Sequence, residues 1–224
     1  MQAFSDIATA AYCPRQLYYR RKHADHAVPE EVAARRDLAF RYPELLDPAT
    51  NLREEPVDAT PTQFRARLSA AKERLDAWPA LVDPARREVL LEGKDARGIA
   101  HKVLDGDGPA PEAPTVSVVS AGEPPDRGVW EPDSVRAVAA AKALAWERET
   151  AVERAYVEYP AHGVVRRISL GTRRTAAYRH ALRVARSMDG PPPRLENDDR
   201  CAPCEYRAEC GTRTRTLRSL LGGD

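Results

Sequence analysis

Cys201-Ala-Pro-Cys204-Glu-Tyr-Arg-Ala-Glu-Cys210 places three thiols at C-x2-C-x5-C spacing near the C-terminus. Two sulfurs three residues apart fit the turn-like geometry in which thiolates share a metal. A tetrahedral or cuboidal site needs a fourth ligand. The chain has one other cysteine, Cys13, almost a full chain length away. If Cys13 completes the site, metal–sulfur bonds tie the two ends of the chain together. The fold between them must then bring those ends into contact. A C-x2-C pair does not tell zinc from iron, and a Cys13 outside the site would be a small buried hydrophobe. Two paired C-x2-C knuckles are the usual zinc layout. A ligand standing alone at the far end favours a cluster.

A chain of 224 residues with 42% hydrophobic content is long enough for one domain with a sizeable core, or one domain plus a small module. Cysteine is too sparse for a disulfide scaffold. No apolar run reads as a signal peptide or spans a bilayer, so the expected setting is cytoplasmic, away from membranes, with thiols kept reduced. A formal net charge of +1 makes global charge no guide to partners. The basic residues are nearly all Arg, the lysines being Lys22, Lys72, Lys94, Lys102 and Lys142. That bias fits phosphate recognition, and fits genome base composition better.

Around Cys13 the sequence predicts a helix, then a basic and aromatic stretch. Ser5 is the expected cap, Asp6 sits in the first turn, and Ile7, Ala10 and Ala11 form an apolar stripe. Pro14 disfavours helix at Cys13 and suits the first turn of a new helix, which holds Cys13 at a bend. Arg15, Tyr18, Tyr19, Arg20 and Arg21 interleave cations with aromatic rings, as a nucleic-acid surface does. The same pattern also suits a solvated face with Leu17 and one tyrosine in the core. His23 and His26 are spaced for a metal, though lone surface histidines are commoner.

Farther along, a helix is expected around Pro29 to Arg41. Another is expected over 61–78, capped by Thr60 or Thr62 and ended by Pro79, with Phe64, Leu68, Ala71, Leu75 and Trp78 inward. Then the period changes. Val89 to Leu91 reads as a buried strand and Ile99 to Leu104 as its hairpin partner, followed by a loop over 105–114 and a β-branched strand at Thr115 to Ser120. Residues 131–149 read as an Ala-rich helix. Val152 to Tyr159 and Val164 to Leu170 read as a hairpin, and Thr172 to Met188 as a helix capped by Thr172. Asp189-Gly190-Pro191-Pro192-Pro193 is a stiff linker to the cysteines, and Thr212 to Leu221 is a short helical tail. The order predicts a mixed α/β fold, one central sheet with helices on its faces.

The pattern of helix, Tyr12-Cys13-Pro14-Arg15-x-x-Tyr18-Tyr19, strands, helix, strands, helix, Pro-Pro and C-x2-C-x5-C resembles the CRISPR-associated RecB-like exonucleases. The resemblance covers Tyr12 to Tyr19, Gly122 to Glu147, and Glu153 to Cys210. It implies an α/β fold with a PD-(D/E)xK (restriction-endonuclease-like) core. It implies a [4Fe–4S] cluster on Cys13, Cys201, Cys204 and Cys210. It also implies DNA, single-stranded or at ends, as partner, with a CRISPR integrase beside it in spacer acquisition. On this plan residues 1–22 hold the first cluster ligand, 23–86 a helical insertion, 87–188 the nuclease-like core and 189–224 the iron–sulfur module.

The hydrolytic positions depart from the family. Its motif Asp falls near His101, its Glu-x-Lys at Val118 and Ser120, and its Gln-x-x-x-Tyr at Arg136 and Ala140. Phosphodiester hydrolysis there needs Mg²⁺ or Mn²⁺ on carboxylates, and a Lys for developing charge. Val holds no cation and Ser carries no charge. The expectation is a decayed nuclease centre with its cluster ligands kept. The alternatives are an active exonuclease using His101, Asp105 or Asp107, and a structural-zinc protein.

Overall fold

The hairpin of β2 (Arg86–Glu92) and β3 (Ala96–Leu104) is the frame of the sheet, with Val89 opposite Ala100 and Leu91 opposite Gly98. The computed structural model describes residues 1–24, 28–105, 114–195 and 198–211. His26, Asp107 and the expected tail helix fall outside those residues. β4 (Thr115–Val119) runs antiparallel to β3, with Lys102 opposite Ser117. α7 (Glu131–Arg148) then crosses over so that β5 (Arg154–Tyr159) lies parallel to β4, as a parallel neighbour requires. β6 (Val164–Ser169) returns antiparallel and ends the sheet. β1 (Gln2–Ala3) adds two parallel residues beside the start of β3. The coarse expectation of a mixed sheet with helices on its faces holds.

Both faces are covered. On one, α1 (Phe4–Tyr12), α7 and α8 (Thr172–Arg186) pack over the sheet, with Ile7, Val116, Val118, Val138, Leu144 and Val157 in a shared core. On the other lie α3 (Glu30–Asp37), α4 (Tyr42–Leu46), α5 (Pro61–Arg74) and α6 (Trp78–Val82). Leu38, Tyr42, Phe64, Leu68 and Leu81 there meet Val119, Tyr156 and Val165 of the sheet. β4 is therefore buried along its whole length, with Val116 and Val118 in the first core and Val119 in the second. Gly98 permits the close approach of α1: a Cβ there would stand 2.6 Å from the Phe4 ring. Gly163 closes the β5–β6 turn at φ +64°, where a Cβ would meet Phe64 O at 2.7 Å. Among the described residues no helix is long and apolar enough to cross a membrane.

Several element boundaries differ from expectation. α1 is not capped by Ser5. Ala3, held extended by pairing with β3, precedes the first helical residue, Phe4. Pro79 does not end α5. That helix stops at Arg74, Leu75 is extended, and Pro79 sits in the first turn of α6, where its missing N–H costs nothing. Both Leu75 and Trp78 thereby face the core, and Trp78 stacks on Tyr42 at 5.5 Å. The strand around Val89 to Leu91 is not buried throughout, because the pleat turns Leu90 outward to 56% exposure. α8 has Gly171 rather than Thr172 at its cap position. Thr60 caps α5 as expected, its hydroxyl accepting from Gln63 N at 3.4 Å.

Candidate metal centre and the matched catalytic positions

Cys13 stands between two helices. α1 ends at Tyr12, Cys13 is extended (φ −157°, ψ 112°), and α2 (Pro14–His23) begins with Pro14. Its N–H donates to Thr9 O at 2.8 Å and its C=O accepts from Leu17 N at 3.2 Å, so the backbone is fixed from both sides. At the other terminus, the one-turn helix α9 (Asp198–Cys201) brings in Cys201. A series of turns follows: Cys204 N to Cys201 O at 3.2 Å, Arg207 N to Cys204 O at 3.0 Å, and Cys210 N to Tyr206 O at 2.8 Å.

All four cysteines line one cavity, together with Tyr12, Gln16, Tyr19 and Leu195. None forms a disulfide and all are half-buried. Burial pushes the Cys204 thiol up, and the nearby Cys13, Cys210 and Cys201 sulfurs push it further. All three are thus electrostatic neighbours of Cys204. A bound cation would reverse that upward push on Cys204. Among the described residues no three His, Cys, Asp or Glu side chains are drawn together as ligands of a single ion. The donor set of four sulfurs fits iron–sulfur or zinc chemistry.

The cavity is clamped by contacts between the chain ends. Arg200 Nη1 donates to Tyr12 O at 3.0 Å, and its guanidinium lies 5.3 Å from the Tyr12 ring centre. Tyr206 stacks on both Tyr19 and His23, each ring 5.8 Å away. His23 Nε2 lies 2.8 Å from Glu209 Oε1, so this histidine belongs to the clamp.

The basic and aromatic stretch is used in the same way. Arg15 donates to Pro192 O at 2.7 Å. Tyr19 is buried and its hydroxyl donates to Glu209 O at 3.0 Å. Arg20 donates to Thr9 Oγ1 at 2.9 Å. Arg21 bonds Asp6 at 2.9 Å and donates to Ala185 O at 2.7 Å. Tyr18 is half-buried, edge-on to Tyr19 at 5.3 Å. Four of the five side chains placed on a nucleic-acid surface are thus committed to holding α2 in place.

Two of the positions matched to the nuclease motifs, His101 and Arg136, meet at Val119. His101, on β3, accepts through Nδ1 from Val119 N at 3.1 Å, and Arg136, on α7, donates to Val119 O. Val118 is fully buried in the apolar core. Ser120, just past β4, bonds through its N–H to Glu158 O at 2.8 Å. Ala140 is buried. Burial, with Arg136, Arg36 and Lys102 nearby, holds the His101 imidazole well below its ordinary pKa. A carboxylate also stands here, Asp133, 4.0 Å from Arg136 and accepting from Tyr159 Oη at 2.9 Å. Asp105 lies 3.7 Å from Arg148. The centre therefore presents Arg136, His101 and the Asp133 carboxylate where cation chemistry needs several oxygens.

Sequence reasoning missed one polar centre. Lys102 Nζ, fully buried, donates to Glu158 Oε2 at 2.8 Å, Ala39 O at 2.6 Å and Leu81 O at 2.7 Å. Ser117 Oγ donates to the other oxygen of Glu158. All three ammonium hydrogens and both carboxylate oxygens are satisfied, as a buried pair requires. Burial still pulls the Lys102 pKa down, opposed by Glu158. The signal was a lone Lys within Ile99-Ala-His-Lys-Val-Leu104 and a lone Glu within Val157-Glu-Tyr159. Charges inside apolar strands need partners. The pair lies under the helices of the second face and reaches no solvent.

Compared with protein-family models and with curated proteins, the chain matches none.

Proposed function

We propose that this chain is an iron–sulfur, DNA-binding protein on a PD-(D/E)xK-type scaffold whose hydrolytic centre is lost. One observation carries it: four cysteines from opposite ends of the chain line a single cavity. The order helix, three-stranded antiparallel meander, crossover helix and parallel strand supports the scaffold. The loss of hydrolysis rests on His101, Val118, Ser120 and Arg136 at the matched positions, with Lys102 and Glu158 consumed by each other. Cys13, Cys201, Cys204 and Cys210 would hold a [4Fe–4S] cluster, whose contribution is architectural. It would join the C-terminal module to α1 and α2. DNA ends and a CRISPR integrase in spacer acquisition are the proposed partners, in a reducing cytoplasm.

Anaerobic purification with metal and sulfide analysis tests the cofactor. The expected result is a brown protein with about four iron and four sulfide per chain. A colourless protein with one zinc would replace the cluster by a structural-zinc site. Incubation with labelled single-stranded DNA and Mg²⁺ or Mn²⁺ tests the centre. No cleavage is expected, and robust cleavage abolished by His101→Ala would overturn its loss.

A further inference from the structure

We infer that an arginine-lined groove along the edge strand β6 binds the sugar–phosphate backbone of single-stranded nucleic acid. This deepens the DNA-binding reading and rests on it for the class of ligand. The site itself is built from elements that carry none of the cysteines.

Two adjoining hollows of about 390 and about 460 Å³ share Arg74, Asp126 and Arg166. The first adds Arg67; the second adds Arg127, Arg167 and Arg174. Against these guanidinium groups stand the carboxylates Glu123 and Asp126. The whole chain is nearly neutral at +1, so this surface concentrates cationic charge. Such a track suits a polyanion.

Three of the arginines build the walls. Arg166 donates to Pro125 O at 2.7 Å, to Asp126 O at 3.2 Å and to Gly128 O, which fixes the 123–129 loop as one side. Arg74 donates to Val165 O at 3.0 Å, taking an edge acceptor that another strand would otherwise use. Arg174 donates to Ser169 O at 3.2 Å. Arg67, Arg127 and Arg167 are exposed, and their side chains have no hydrogen bond or ion pair among the described residues. Fixed walls with unspent guanidinium groups suit phosphate, which takes paired N–H donors.

Trp130 selects the single strand. Its indole is 52% exposed and donates through Nε1 to Glu123 O at 2.7 Å, which anchors it to the loop wall. An exposed aromatic ring beside a cationic track stacks unpaired bases, and a duplex does not offer them.

Fluorescence anisotropy on the full chain tests this with labelled oligothymidylate of about 20 nucleotides, and a duplex of equal length, over a range of salt. The variant R67A/R127A/R167A is expected to lose roughly tenfold or more in affinity and to reduce the salt slope by about two. Its thermal melt should match the parent. Trp130→Ala should weaken the single strand and spare the duplex. Unchanged affinity and slope in the triple variant would overturn the groove while leaving DNA binding in place. A parent protein that binds no oligonucleotide would remove the DNA-binding reading and this inference together. Competition by polyglutamate equal to that by oligonucleotide would assign the groove to an acidic protein surface instead.

Discussion

The cysteine cavity and the His101–Arg136 centre stand where the resemblance implies a cluster and a nuclease site, and they differ in opposite ways. At the cavity every sulfur donor is present, and the side chains around it bond one chain end to the other. At the centre His101 and Arg136 meet on the Val119 backbone, with Asp133 beside Arg136, so that imidazole and guanidinium stand next to a single carboxylate. Backbone topology delivers residues to a place whether or not they remain fit for its chemistry. Convergence is therefore evidence of scaffold, and the donor set alone is evidence of activity.

Removing a sulfur should break the comparison most severely. Cys13→Ala and Cys204→Ala are each expected to give colourless protein prone to aggregation, because metal binding supplies folding energy in such modules. Absorbance and sedimentation check this; soluble, well-folded forms of both variants would sink the architectural role. Lys102→Met comes next. It leaves Glu158 buried and unpaired, and should cost about 3–5 kcal/mol in urea unfolding. Adding Glu158→Gln should recover part of that loss. This pair is a test of whether the sheet beneath the centre is structural, since neither change should alter DNA binding.

A smaller effect should follow pH. The folded-state pKa of His101 lies below its unfolded value, so the folded state resists protonation that the unfolded chain accepts. The contribution of His101 is complete above the ordinary imidazole pKa of about 6.5 and is lost as pH falls below it. Between about pH 6.5 and 5 the parent should lose up to about 1.4 kcal/mol per pH unit more than His101→Gln, read from paired unfolding curves. Equal slopes would place the imidazole in water. Smallest is Tyr206→Leu, which removes the ring stacked on Tyr19 and His23 and should weaken the clamp by about 1 kcal/mol. Faster loss of colour on dilution would report it.

Much of the secondary structure was legible because periodicity and turn residues act locally. The hairpins at 86–104 and 154–169, the Ala-rich α7 and the cap at Thr60 all follow from neighbours within a few residues. The errors lie where a distant partner overrides a local preference. Pairing of Gln2 and Ala3 with β3 starts α1 before Ser5, and the need to bury both Leu75 and Trp78 divides a helix that Pro79 was expected to end.

From its residues alone, the chain determined its strand and helix order and the bend at Cys13. Those are matters of local backbone preference and side-chain chemistry. That Cys13 shares a cavity with Cys201, Cys204 and Cys210, that Lys102 finds Glu158, and that six arginines meet along β6 were decided only by the tertiary structure. Each joins residues far apart in sequence, and such distances close only when the sheet and its two covering layers are packed.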